Sequence, residues 1–304
     1  MKVTVVIPVF NERETLAPLA DELQHYLSPY EHKIIFVDDG STDGSAEVLR
    51  ALHARNYDID VLRFRRNYGK TAAIAAGFQK AEGDVVITID ADLQDDPKEI
   101  PRFIGKIDEG FDVVCGWKRR RQDPWTKTLP SRLYNRAVSL LFRLDLHDVN
   151  CGYKALRAEI AKRLVLHDDM HRLVPVLAAQ LGARIAEIPV EHHARRWGAS
   201  KYGAERFWRG ARDTMVVFLS KRCRLFTGSR LRAIANVALA ASVLCGAGAY
   251  LTSRGIVQFL LSVGCVTGLF AGGFLLGLSR LAQRAVRRTT PLDTAPFVEE
   301  ELRH

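Results

Sequence analysis

The amino-acid sequence predicts an α/β protein in which a mostly parallel sheet is covered by helices on both faces. An amphipathic interface helix and a two-helix transmembrane hairpin are predicted to follow this domain. Apolar strand-like segments alternate with short helical segments through the first half of the chain, and polar residues follow four of these strands. Two long stretches near the C-terminal end carry no charged residue. The alternation is typical of parallel sheets.

Four apolar segments have the length and composition of buried strands. These segments are residues 3–10, 33–37, 61–64 and 84–89. A fifth strand is predicted at 112–115. After the first strand, apolar side chains recur at positions 16, 19, 20, 23 and 27, which is helical spacing. An alanine-rich helix is predicted after the third strand.

Polar or acidic side chains follow each of the first four strands. They are Asn11 and Glu12, Asp38 and Asp39, Asn67 and Lys70, and Asp90 and Asp92. Because ligands of open α/β sheets bind at the carboxyl ends of the strands, these side chains are expected to share one site.

Asp90 and Asp92 are the most informative of these residues. Two positions apart on an extended chain, their side chains point to the same side. Together with Gln94, they predict a site for Mg²⁺ or Mn²⁺ held against a diphosphate, since such ions take few carboxylates and complete their shell with phosphate and water. The alternative is that these acids only form the turn at the strand end.

Net charge and the motifs that are missing exclude several classes of function. The net charge of +9 over 304 residues favours an anionic partner, such as a phospholipid surface or a phosphorylated substrate. The basic residues cluster near the apolar stretches, and with no nucleic-acid motif present we expect no nucleic-acid partner. Neither a G-x-G-x-x-G nor a G-x-x-x-x-G-K-[ST] motif occurs, which argues against a dinucleotide fold and a P-loop NTPase.

Four motifs in order resemble those of the family 2 glycosyltransferases with a GT-A fold. These are VIPVFNE at 6–12, VDDGSTD at 37–43, NYGK at 67–70 and DADLQ at 90–94. The resemblance covers about residues 1–220 and is greatest to the branch that glycosylates polyprenyl phosphates, such as dolichyl or undecaprenyl phosphate. It implies a nucleotide-diphosphate sugar as donor, a GT-A Rossmann-like sheet and a divalent metal ion.

The resemblance also implies the donor-side residues. Residues 195–202 resemble the R-x-x-G-x-S-K-Y loop of the family, in which Arg195 and Lys201 would neutralise the leaving nucleotide. The metal ligands would be Asp90, Asp92 and Gln94. The residues implied to bind the nucleotide sugar are Pro8, Asn11, Glu12, Asp38, Asp39, Lys70, Asp90, Ala91, Asp92, Arg195 and Lys201.

On the acceptor side, Lys118 and Arg132 match the two basic residues that bind the lipid phosphate in the family. The family often has arginine where Lys118 stands, so Arg119 is the alternative. A solvated or lipid-facing basic stretch would look the same. Asp148 matches an acidic residue that acts as general base in some relatives; since a phosphate acceptor is already ionised, orienting the acceptor is its other expected role. The implied catalytic residues are Asp92, Asp148, Arg195 and Lys201.

Residues 233–253 and 255–279 are long enough to cross a hydrocarbon core of about 30 Å as helices. Only Arg254 separates them, and arginines precede and follow the pair, which predicts both flanks on the cytosolic side. A buried hairpin in a soluble domain is the alternative. Small residues on both helices allow close packing, or contacts between copies of the chain in a homo-oligomer.

The predicted organisation is therefore a catalytic domain at 1–202, an amphipathic juxtamembrane helix at 203–230, the hairpin at 231–281 and a disordered tail at 282–304. A core-packing helix is the alternative for 203–230. We expect an integral protein of the plasma (inner) membrane, with its catalytic domain and both termini cytosolic. Two other functions fit less well: glycosylation of another membrane acceptor, and a non-catalytic scaffold that binds nucleotide sugar or lipid.

Overall fold

The computed structural model describes residues 1–56, 58–119, 125–194, 205–222, 228–251, 255–287 and 292–304. The chain forms two compact units. One contains Met1–Asp213 together with Pro291–His304, and the other contains Thr214–Thr290.

Strands and helices alternate through the first unit. Its described strands are β1 (Lys2–Val9), β2 (Glu31–Asp38), β3 (Ile59–Phe64), β4 (Val85–Thr88), β5 (Val113–Trp117), β6 (Lys154–Arg157), β7 (Ile185–Pro189) and β8 (Val298–Leu302). Its helices are α1 (Arg13–Leu27), α2 (Ser45–Arg55), α3 (Lys70–Lys80), α4 (Ile100–Asp108), α5 (Trp125–Phe142), α6 (Ala158–Arg163) and α7 (Val174–Gln180). Short 3-10 helices occupy Pro97–Glu99, Met170–Leu173 and Ala295–Phe297.

The strands form one mixed sheet in the order β7-β5-β6-β4-β1-β2-β3-β8. β1 lies between β2 and β4 and is parallel to both, whereas β6 runs antiparallel to β4 and β5. Val9 lies opposite Asp38, and Val6 lies opposite Thr88, so β1, β2 and β4 end at the same edge. The predicted mostly parallel sheet is confirmed, and its carboxyl edge collects the polar residues that follow the strands.

The core lies between the sheet and its helices. Leu16, Leu19, Leu23 and Leu27 of α1 are fully buried, at the spacing that the sequence showed. These side chains pack in one hydrophobic cluster with apolar residues of β1, β2 and α4. Burial of each leucine removes its apolar surface from water, which stabilises the fold by about 1.5–3 kcal/mol per side chain. The strands that lead to the polar edge are thus anchored in the hydrophobic core.

The expectation of a disordered C-terminal tail is wrong for the described residues 292–304. β8 pairs antiparallel with β3, with Leu62 opposite Glu301. Its acidic side chains contact basic residues that are distant in sequence: Arg50 donates to Glu300 from both Nε and Nη2, and Lys80 Nζ lies 2.6 Å from Glu301. These ion pairs neutralise acidic side chains of the glutamate run at 299–301.

The second unit contains two long helices, α9 (Gly228–Leu251) and α10 (Gly255–Arg287). Their candidate spans, Arg232–Leu251 and Gly255–Gly277, have mean hydropathies of 1.7 and 2.1. Both are long and apolar enough to cross a membrane. Large apolar side chains such as Leu251 and Phe270 are 81% and 77% exposed, which disfavours the alternative of a buried hairpin in a soluble domain. Arg254 lies outside the described residues.

α8 (Glu205–Arg222) lies within the segment predicted as an amphipathic juxtamembrane helix. Met215 of this helix is 41% exposed, while Asp213 is fully buried and accepts the N–H of Asp169. The exposed methionine suits a helix at an interface, and the assignment stays a prediction.

Small residues bring α9 and α10 together. A Cβ atom added to Gly268 would lie 2.8 Å from Ser242 Cβ, and one added to Gly272 would lie 2.6 Å from Leu239 Cγ. Gly273, in contrast, has open space where its Cβ would be. The helices therefore approach through one face of α10, as small residues permit.

We expect Gly268→Ala to destabilise the helix pair by about 1–3 kcal/mol, because the new methyl group overpacks the contact with Ser242. Gly273→Ala is the matched control, since it adds the same methyl group to the same helix in open space. The measurement is thermal unfolding of the two variants in detergent. Equal midpoints would contradict the helix packing described here.

Candidate active site

Asp90 and Asp92 lie just beyond the end of β4, at the carboxyl edge of the sheet. Ile89 and Ala91 are buried and anchor the segment in the core. Leu93 has a φ of 56°, so the chain turns sharply after Asp92. Asp92 is buried, and its Oδ1 accepts the backbone N–H of Gln94 at 3.2 Å.

Asp90 is surrounded by positive charge. Lys70, the first residue of α3, forms an ion pair with its carboxylate. Burial by itself would raise the pKa of Asp90, but the ammonium groups of Lys70 and Lys118 outweigh it and hold that pKa well below its ordinary value. Asp90 is therefore ionised at any physiological pH.

The residues at this edge fit a divalent metal ion. Asp90 and Asp92 offer hard carboxylate oxygens, the donors that Mg²⁺ and Mn²⁺ prefer. The fold also holds a cation against Asp90 already, in the form of the Lys70 ammonium group. The side-chain nitrogen of Gln94 donates to the carbonyl of His193 at 3.1 Å, and its side-chain oxygen, the atom that could bind a metal ion, takes no part in that hydrogen bond.

The loop after β1 is held against the loop after β2. Asn11 adopts a φ of 54°, a conformation that asparagine tolerates, and its side-chain oxygen accepts the N–H of Thr42 at 2.8 Å. Glu12 donates its N–H to Ser45 Oγ at 3.0 Å. Pro8 lies on β1 opposite Val37. Three predicted donor-binding residues are thus fixed at the edge where Asp38 and Asp39 follow.

Asp38 and Asp39 are both buried, and their carboxylates hold different loops. Asp38 accepts the N–H of Ser41 at 2.9 Å. Asp39 accepts the N–H groups of Tyr68 and Gly69 at 2.6 and 2.9 Å. Burial raises the pKa of Asp39 to about 6 even though these two N–H groups oppose the shift, and the negative charge of Asp38 adds to the rise.

This shift predicts a pH-dependent stability. The pKa of Asp39 is about 6 in the folded state, against an ordinary value of 3.8. Between pH 3.8 and 6, the folded state therefore still binds a proton at Asp39 that the unfolded state has released. The contribution of Asp39 to the free energy of unfolding should therefore fall as pH rises from about 4 to 6, by about 3 kcal/mol in total.

Thermal unfolding of the wild type and Asp39→Asn between pH 4.5 and 7.5 measures this effect. The difference between the two midpoints should change through this range, because asparagine does not titrate. A difference that stays constant with pH would contradict the raised pKa.

The predicted acceptor residues lie in two different environments. Lys118 is mostly buried, and its Nζ lies 2.5 Å from Oδ1 of the fully buried Asp95. This partner and nearby Asp90 raise the pKa of Lys118, although burial opposes them. Arg119 and Arg132 are exposed, and the Arg119 guanidinium lies 5.7 Å from the centre of the Trp117 ring. Both arginines are therefore open to solvent, whereas Lys118 is held in a buried ion pair.

Asp148 is buried and already engaged. Its Oδ1 accepts from the side-chain nitrogen of Asn135 at 2.9 Å, and its backbone N–H donates to Glu187 at 2.8 Å. A carboxylate held in this way suits an orienting role better than a base that exchanges protons.

Sequence reasoning missed Glu187 and Gly152. Glu187, on β7, is nearly buried and accepts the backbone N–H groups of His147 and Asp148. A Cβ atom at Gly152 would lie 2.8 Å from Asp90 Oδ1, so glycine permits the close approach of these segments. Nothing near Glu187 in the sequence marks it, whereas Gly152 lies four positions after the predicted acceptor residue Asp148, which was a usable signal.

Arg195 and Lys201 lie outside the described residues, so their predicted roles stay predictions. Glu191 and His193, just before these residues, and Asp96, which follows β4, have ligand atoms within 4.8 Å of one another and could hold a metal ion. Lys98 Nζ lies 2.9 Å from Asp96 and 2.8 Å from Glu191, so each of the two candidate metal sites has a lysine against at least one of its acids. Asp90 and Asp92 stay the predicted metal site, since they lie at the strand ends.

Comparison with known proteins identifies related chains. The family model described as Glycosyl transferase family 2 matches residues 4–165. Dodecaprenyl-phosphate galacturonate synthase of Rhizobium johnstonii is 34% identical over 235 residues, covering 75% of this chain and 70% of that protein.

Among solved structures, the fold is similar to glucosyl-3-phosphoglycerate synthase of Mycobacterium tuberculosis. The complex with Mn²⁺, uridine diphosphate and phosphoglyceric acid matches with a TM-score of 0.57 and 21% identity, over 72% of this chain and 78% of that one. The complex with Mg²⁺ and uridine diphosphate matches over the same shares, with a TM-score of 0.56 and 21% identity. These matches show that the two proteins share a fold.

Proposed function

Because the chain belongs to glycosyl transferase family 2, we propose that it is a membrane-anchored, inverting enzyme that moves a sugar from a nucleotide-diphosphate sugar to a polyprenyl phosphate. The proposal rests on one observation: acidic and basic side chains that follow β2, β3 and β4 lie together at one edge of the sheet. They are Asp38, Asp39, Lys70, Asp90 and Asp92. The relative named dodecaprenyl-phosphate galacturonate synthase supports a polyprenyl phosphate as the acceptor.

The donor lies across the strand ends. Pro8, Asn11, Glu12 and the Asp38–Asp39 pair bind its base and ribose, and Asp90 and Asp92 hold Mg²⁺ or Mn²⁺. When bound, this ion supplies Lewis-acid stabilisation of the charge on the departing diphosphate. Arg195 and Lys201 neutralise the same charge from the loop that closes the catalytic domain.

A phosphate oxygen of the polyprenyl phosphate attacks the anomeric carbon. The bond from that carbon to the diphosphate oxygen breaks, the nucleoside diphosphate leaves, and the configuration inverts. Exposed Arg119 and Arg132 bind the acceptor phosphate, for which the guanidinium fork is suited. Asp148, held by Asn135, orients the acceptor side, because an ionised phosphate needs no strong base.

The chain path supports a hairpin with both ends on one side of the membrane. β3 precedes the two apolar helices and β8 follows them, yet both strands pair in one sheet. Two crossings return the chain to the side from which it left. The arginines that flank the helices in sequence support a cytosolic location for this side, and the plasma membrane is the expected location.

The test uses the detergent-purified full chain with undecaprenyl phosphate, Mg²⁺ or Mn²⁺, and a panel of nucleotide sugars that includes UDP-galacturonate, UDP-glucose and GDP-mannose. Mass spectrometry should show one sugar added to the lipid phosphate. Undecaprenol, which lacks the phosphate, is the control acceptor and should give no product. Donor hydrolysis without lipid product would support a glycosyltransferase with a different acceptor.

A further inference from the structure

The C-terminal segment contacts the loop between β3 and α3, whose backbone N–H groups bind Asp39. Phe297 stacks on Tyr68 with ring centres 4.1 Å apart and ring planes 10° from parallel. Phe297 also meets Phe64 edge-on at 5.9 Å, and its carbonyl accepts the N–H of Arg65 at 3.0 Å. The residue before β8 is thus fixed to the segment that leads from β3 to α3.

The same segment is bound to the active-site edge from within the domain. The N–H groups of Tyr68 and Gly69 donate to the Asp39 carboxylate, and the next residue, Lys70, pairs with Asp90. Tyr68 therefore has its backbone on a donor-site acid and its ring on Phe297. Displacement of the ring would move N–H donors that the Asp39 carboxylate needs.

A second contact links β8 to the other aspartate at the end of β2. Arg63 on β3 places its Nε 3.5 Å from Oδ2 of the buried Asp38, and its guanidinium lies 3.3 Å from Glu299 of β8. The C-terminal segment 297–302 thus has one contact toward each of the two adjacent aspartates, from Glu299 through Arg63 to Asp38 and from Phe297 through Tyr68 to Asp39.

We propose that the C-terminal segment 297–302 is a positioning element of the donor site, and that Phe297 is its main positioning residue. This inference rests on the proposed function. The chain segment that returns after the apolar helices completes the support of the loop that carries Lys70. Phe297 does not touch the donor; it fixes the conformation of residues 67–70 through the ring of Tyr68.

A simpler role for β8 is to cover the exposed edge of β3, which would otherwise be open to pairing with other chains. That role predicts only a loss of stability when β8 is weakened. A positioning role predicts in addition a loss of nucleotide affinity that depends on the ring at position 297.

The test measures binding of UDP and of GDP, each with Mn²⁺, to the full chain by calorimetry, together with thermal unfolding. Phe297→Ala should weaken binding of the preferred nucleotide about three- to ten-fold, the range that one aromatic contact supports. Phe297→Tyr keeps the ring and should restore affinity. Leu302→Ala is the matched control, because Leu302 packs against the core at the far end of the segment 297–302; it should lower the unfolding midpoint without changing nucleotide affinity.

Tyr68→Ala provides an independent measurement if Phe297→Ala unfolds. It should weaken binding to a similar extent, and combining it with Phe297→Ala should add little, since both remove one contact. Wild-type affinity in Phe297→Ala, or equal losses in Phe297→Ala and Leu302→Ala, would overturn the positioning role and leave the proposed function intact. Failure of the wild type to bind either nucleotide would overturn both.

Discussion

Asp92→Asn should reduce sugar transfer by about 10²–10³-fold, because it removes a charged ligand from the ion that stabilises the leaving diphosphate. The fold should survive, since asparagine is nearly isosteric and its side-chain oxygen can still accept the N–H of Gln94. The measurement is the initial rate of lipid glycosylation across a Mn²⁺ titration, with thermal unfolding as the check on folding.

Asp96→Asn is the matched control, because Asp96 belongs to the second cluster that could hold a metal ion. Asparagine keeps the cap on the 3-10 helix Pro97–Glu99 that the Asp96 side chain provides through the N–H of Lys98. We expect Asp96→Asn to retain most of the activity. The opposite ranking of the two variants would place the metal at Asp96, Glu191 and His193 and would contradict the site at Asp90 and Asp92.

Lys118→Met should destabilise the catalytic domain by about 3–5 kcal/mol, because it leaves the carboxylate of Asp95 buried without its partner. Removing both charges in Lys118→Met/Asp95→Asn should restore most of this loss. Thermal unfolding measures the effect, and an unchanged midpoint for Lys118→Met would contradict the buried ion pair.

Arg119→Met separates stability from acceptor binding at the neighbouring position. Arg119 is exposed, so its loss should leave the unfolding midpoint nearly unchanged. It should raise the KM for undecaprenyl phosphate about ten- to a hundred-fold, the range expected for a lost charged hydrogen bond. If Lys118→Met/Asp95→Asn, and not Arg119→Met, shows that increase, Lys118 is the phosphate-binding residue.

The parts of the fold that could be predicted from the sequence are those with a local pattern. The leucines of α1 recur at helical spacing because one face packs on the sheet, and the structure buries each of them. The acids after the strands could be placed at one edge because parallel strands share their direction. Asp39 and Lys70 were expected near Asp90 on this basis, and the Lys70–Asp90 ion pair joins two of these strand ends.

β8 could not be predicted, because its partners are distant. Residues 299–301 are three consecutive glutamates, which looks like a solvated segment. Arg50 and Lys80, which neutralise two of them, lie 250 and 221 positions earlier in the chain. The pairing of Lys118 with Asp95 was hidden for a similar reason: the sequence shows a row of basic residues, and only the sheet shows which of them is buried.

We expect the sugar itself, without phosphate, to pass to the lipid phosphate. ³¹P NMR of undecaprenyl phosphate with the preferred nucleotide sugar and the full chain follows this transfer. The phosphomonoester signal should be replaced by a phosphodiester signal, with one nucleoside diphosphate released per lipid consumed. A lipid diphosphate signal with release of nucleoside monophosphate, or nucleotide release with an unchanged phosphomonoester, would contradict it.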